Sequence, residues 1–125
     1  MERKTFSKEE RLCSKRLIDS LFHSGSSFLV YPYRVVFMRV EGAAMVQVLL
    51  SVSKRRFRHA VQRNLLKRRM RESYRLQKGE RLYPTMEGKP YGLAIAIQYV
   101  GKELLDFSFM RDRMADVLEK LHNEA

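Results

Sequence analysis

Cysteine is nearly absent. Cys13 stands alone, which leaves no disulfide framework and too few thiolates for a cysteine zinc site. The three histidines, His23, His59 and His122, lie far apart, with no pairing at metal-ligand spacing. Acidic residues are scarce, 14 against 25 lysines and arginines, and they are dispersed except for the adjacent Glu9 and Glu10. A two-metal nuclease needs several carboxylates brought together, so no catalytic residue and no metal ligand is expected on the protein. Long apolar runs are missing too. The longest, near 45–52 and 91–100, fall short of the ~20 residues that cross a bilayer. The N-terminal stretch MERKTFSKEERLCSKR lacks the apolar core of a signal peptide. The expectation is a reduced, cytoplasmic protein that leaves membranes alone.

What is present is a core and a large positive charge. The 125 residues suit one domain, 1–125, and a hydrophobic share of 45% is too high for disorder. The net charge of +11 argues for a polyanionic partner, most often nucleic acid. That charge is concentrated. Lys54, Arg55, Arg56, Arg58, Arg63, Lys67, Arg68, Arg69, Arg71 and Arg75 fall in one window whose only acid is Glu72, so residues 54–75 carry +9 and the rest of the chain +2. The window also holds Val61, Leu65, Leu66, Met70 and Tyr74, which marks a structured element rather than a basic tail.

Along the chain, residues 1–13 read as an extended polar arm, tacked down by Phe6 and Leu12. Ser14 is placed to cap a helix over about 15–24, with Leu17, Ile18, Leu21 and Phe22 as its apolar stripe and Gly25 as a left-handed terminator. Residues 27–40 read as one strand, with pairing broken at Pro32 or an edge there. A turn at Glu41-Gly42 leads to a second strand over 44–54, and the two together suggest a hairpin. From Ala60 to about Gln77 there is neither Gly nor Pro, which predicts the central helix. Gly79, Pro84, Gly88 and Pro90 predict a loop over 78–90, and the apolar run 91–99 a strand buried on both faces. A last helix starts near Asp106 or Ser108. The order αββαβα makes an α+β, two-layer α-β sandwich.

On the central helix, Arg63, Lys67, Arg71 and Arg75 recur every four residues and form one ridge, with Asn64 and Arg68 beside it. Like charges at this spacing repel by a few tenths of a kcal/mol per pair, and a nucleic-acid backbone would neutralise them. Asn64 is either a surface amide or a group that steadies the arginines or binds phosphate. Arg69 falls in the apolar arc and is expected to snorkel out.

The stretches Ser51-Val52-Ser53-Lys54-Arg55, Ala60-Val61-Gln62-Arg63-Asn64, Lys67-Arg68 and Arg71-Glu72-Ser73-Tyr74-Arg75 resemble the signature of the bacterial ribonuclease P protein subunit, AVxRNRxKRxxREx(F/Y)R after a strand ending in basic residues. Arg11-Leu12, Leu21-Phe22 and Gly25 are similar to its N-terminal segment. Two positions depart: Leu65 replaces the second arginine of the Arg-Asn-Arg core, and Ile18 stands where an aromatic is common. The resemblance implies a left-handed βαβ crossover around the central helix. It implies a protein monomer that binds a large catalytic RNA and the 5′ leader of precursor tRNA, assisting endonucleolytic removal of the leader with Mg²⁺ held mainly by the RNA. The RNA-binding residues are then Lys54, Arg55, Arg56, Arg58, Arg63, Asn64, Lys67, Arg68, Arg71 and Arg75. The leader cleft, between first helix and sheet, takes Phe22, Ile18 and Phe37. Phe22 also extends the core stripe, so it reads either as core or as cleft. A ribosomal or general RNA-binding protein is the rival reading.

Overall fold

The computed structural model describes residues 10–41, 46–82 and 89–124. Phe6, Gly42, Pro84 and Gly88 lie outside them. The first helix, α1, spans Lys15–Ser24, and the Ser14 hydroxyl caps it by accepting from the Leu17 amide at 3.3 Å. Gly25 does end this helix, but its backbone is extended at φ −73°, not left-handed. Close approach explains the glycine. A Cβ there would sit 2.4 Å from the Leu21 carbonyl oxygen and 2.8 Å from Val36 Cγ1.

The segment expected as one strand folds back on itself. Strands β1, Ser26–Val30, and β2, Tyr33–Glu41, pair antiparallel across Tyr31-Pro32, with Val30 opposite Tyr33. Strand β3 is Val46–Val52 and β4 is Tyr91–Tyr99. The expected hairpin between the second and third strands is not formed: the sheet order is β1-β2-β4-β3. β4 enters between them, antiparallel to β2 and parallel to β3. Its run Leu93 to Ile97 has no polar residue to turn to water, so both neighbours and both faces are needed to bury it. The parallel pair needs a crossover, and helix α2, Ala60–Arg81, supplies it. α2 outruns its expected end and passes through Gly79. The buried Lys78 ammonium donates to Glu10 of the arm, and Leu82 is buried just beyond.

Alternation sorts the two faces. Tyr33, Val35, Ile95 and Ile97 turn to α2 and to the last helix, α3, Phe107–Glu124, meeting Leu66, Met70, Met114 and Leu118. Val36, Ala94 and Ala96 turn to the other side and meet Leu21 of α1 and Leu12 of the arm. Small Ala94 and Ala96 let α1 lie close. This second face is only partly covered, since Met38, Val40 and Leu49 are half-buried. Asp106 caps α3 by accepting from the Phe109 amide at 2.8 Å. β3 is an edge strand, and the arm covers its outer side: Arg11 bridges Val48 in parallel, and the Leu12 amide donates to the Val48 carbonyl at 3.0 Å.

Candidate nucleic-acid interface

The basic window divides into a loop and a helix face, and one buried ring organises the loop. Phe57 sits amid Lys54, Arg55, Arg56 and Arg58, and it is buried edge-on against Tyr99 with centroids 5.9 Å apart. With Phe57 drawn inward, those four cations are exposed. Arg63 closes the arrangement: its guanidinium donates to the Phe57 carbonyl at 2.8 Å and the Arg58 carbonyl at 2.7 Å. Arg63 is therefore a brace for the loop, which spacing alone does not reveal. The aromatic in the run KRRFRH was the available signal for an anchor. The loop leads straight into the first turn of α2, which has no acidic residue, so the positive end of the helix dipole adds to the loop's field.

The ridge along α2 is not uniform. Asn64, Arg68 and Arg71 are exposed, and Lys67 is half-buried beside them. Arg75 grips Glu72 through two nitrogens, the shorter contacts at 2.8 Å. The hydrogen bond from Arg75 holds the Glu72 carboxyl below its usual range. Arg69, expected to snorkel out to solvent, is half-buried instead and donates to the Leu105 carbonyl at 2.6 Å. The outward cations thus run from Lys54 through Arg58 to Arg68 and Arg71, with the Asn64 amide among them.

The second candidate surface is the partly covered sheet face beside α1. Ile18 is half-buried against it. Phe22 is 57% exposed, so it is not a core residue. Phe37, expected in the cleft, does not reach this face. Its neighbours in β2, Val36 and Met38, point toward α1, so pleating turns Phe37 to the α3 side, where it is buried and packs edge-on against Phe28 at 6.0 Å.

A model of the family described as Ribonuclease P matches residues 6–121. The chain belongs to the ribonuclease P protein family. Among curated relatives, the "Ribonuclease P protein component" of Porphyromonas gingivalis is 39% identical over 117 residues, covering 92% of this chain and 85% of that one. The protein of the same name from Chlorobium phaeobacteroides is 36% identical, with 91% and 86% covered. Among solved structures, the RNase P protein from Thermotoga maritima superposes with a TM-score of 0.71 at 26% identity, covering 89% of this chain and 96% of that one. The Staphylococcus aureus RNase P protein shares the fold, with a TM-score of 0.66 at 17% identity and 90% and 94% covered. The chain is accordingly a protein subunit of ribonuclease P, an RNA-binding member of a ribonucleoprotein that processes tRNA. This decides against the rival ribosomal reading. No helix among the described residues is long and apolar enough to cross a membrane.

Proposed function

We propose that the band formed by the Lys54–Arg58 loop and by Asn64, Lys67, Arg68 and Arg71 holds the catalytic RNA of ribonuclease P. Arg63 positions the loop, and Arg75 flanks the band in its pair with Glu72. The single-stranded 5′ leader of precursor tRNA lies along the sheet face beside α1, where Phe22 offers a base-stacking surface next to Ile18. A flat ring accepts any base, which suits a leader of variable sequence. The observation that carries this reading is the separation of two surfaces: a band of outward cations steadied by Phe57 and Arg63, and an open aromatic on another element. Hydrolysis belongs to the RNA, with Mg²⁺ held by its phosphates. Among the described residues no three of His, Cys, Asp and Glu come together. The protein acts as a monomer in the cytoplasm, neutralising phosphate repulsion that Mg²⁺ would otherwise have to screen.

Reconstitution with the RNase P RNA of the same organism tests this. The protein should lower the Mg²⁺ concentration needed to remove the leader, and the protein without RNA should cleave nothing. Cleavage by rigorously RNA-free protein, or an unchanged Mg²⁺ requirement, would overturn the reading.

A further inference from the structure

Leu66, Met70 and Tyr74 of α2 are fully buried in the core. Val61 and Leu65, apolar residues of the same helix, are not. Val61 is 80% exposed, and Leu65 is half-buried and belongs to neither core cluster. A helix advances ~100° per residue, which sets Val61 opposite Met70 and Leu65 about 40° from Val61, one turn along the outward face. Arg68 and Asn64 lie within about 60° of Val61 on its other side, and both are exposed. Arg58 is exposed just before the helix begins. Leu76 continues the apolar line, but there it meets the Glu72–Arg75 pair, which is neutral as a unit. The apolar line therefore lies among uncompensated charge only at the N-terminal end of α2. One exposed apolar side chain needs no partner. Two of them, one turn apart and flanked by cations, make a small apolar seat in a positive field. Neither can bind a phosphate, and Leu65 stands where the family resemblance implies an arginine, so an apolar contact takes the place of a charged one there. Charge selects the occupant. A second copy of this chain would set cations against cations. RNA brings phosphates to the cations and, where it is unpaired, the flat face of a base to the two apolar side chains.

We infer that Val61 and Leu65 seat an unstacked base of the catalytic RNA, whose backbone is held by Arg58, Asn64 and Arg68. The inference rests on the RNA-binding reading and deepens it, because part of the affinity then comes from apolar burial rather than from charge. Salt separates the two kinds of contact. A phosphate contact releases condensed counterions, and an apolar contact releases none. The test measures binding of the full chain to the RNase P RNA of the same organism between about 50 and 200 mM salt. Parent, Val61→Ala, Leu65→Ala, Leu65→Met and Arg68→Gln are compared. Alanine is the best helix former, so the alanine variants keep α2, as circular dichroism will verify. Val61→Ala should weaken binding about ten-fold, the effect of roughly two methyl groups returned to water, and leave the slope of log K against log salt unchanged. Leu65→Ala should behave alike, and Leu65→Met, apolar and of similar volume, should retain most of the affinity. Arg68→Gln should instead flatten the slope by about 0.7–0.9. Parental affinity in Val61→Ala overturns the inference, and at a position this exposed misfolding does not obscure the result. A loss of affinity with a flattened slope overturns it too, since Val61 would then act through the cations. So does a parent that self-associates without RNA through a contact that Val61→Ala abolishes. In each of these cases a flattened slope in Arg68→Gln leaves the broader RNA reading standing. A parent whose binding ignores salt, with Arg68→Gln equal to it, overturns the broader reading together with this one.

Discussion

Phe22 and Phe37 are aromatic residues offered to the same cleft, and the fold separates them. Phe22 is open to solvent, and Phe37 is enclosed under α3. Phe22→Ala should leave stability nearly unchanged and reduce the preference for precursor over mature tRNA by about 1–3 kcal/mol, the worth of one base stack. Phe37→Ala should cost about 3–5 kcal/mol of folding stability, because it opens a hole in the core. Urea unfolding paired with competition binding of precursor and mature tRNA checks both. A preference that survives in folded Phe22→Ala removes that residue from the cleft. The α1 stripe left Phe22 ambiguous because it lies at the margin of the apolar arc, where a few degrees of rotation decide between core and solvent. Phe37 enters the cleft only through the resemblance, and the period-two pattern of a strand cannot check it, since it tells which residues share a face but not which face meets which helix.

At the scale of elements, the local signals held where local chemistry decides. Ser14 caps α1 as its side chain demands, and the run without Gly or Pro from Ala60 places the start of α2 there. What escaped were the long-range pairings. The hairpin suggested by adjacency was displaced by β4, a strand distant in sequence but apolar enough to claim the centre. α2 continued through Gly79 because Glu10, far away in the chain, meets Lys78 there. Nothing in the neighbourhood of Lys78 announces a buried lysine. This pair makes an asymmetric prediction. Lys78 is fully enclosed, whereas the Glu10 side chain keeps 14% of its exposure. Glu10→Gln removes the carboxylate charge that faces the enclosed Lys78 ammonium and should cost up to about 3–5 kcal/mol. Lys78→Met leaves a carboxylate that still touches water and adds apolar contact, so it should cost less. Chemical denaturation of the two variants side by side gives the comparison, and an equal or reversed order would show that the pair is not what secures the arm to α2.

For the whole molecule, the separation of charge is as informative as its total. Residues 54–75 carry +9 of the +11, and the remaining chain is close to neutral, so the molecule approaches a polyanion with one side preferred. The central place of β4 has a further consequence, which concerns order of synthesis. A chain emerging from the ribosome presents β1, β2, β3 and the basic helix well before residues 91–99 exist to join them. Until then the inner edges of β2 and β3 have no partner strand, and the underside of α2 lacks half of the sheet it rests on. The segment richest in positive charge is thus made early and given its rigid form late. A nascent fragment ending at Pro90 holds every cation of the band without the platform that spaces them, so its RNA contacts are those of an unstructured polycation, and a specific partner is recognised only once the last third of the chain has been released.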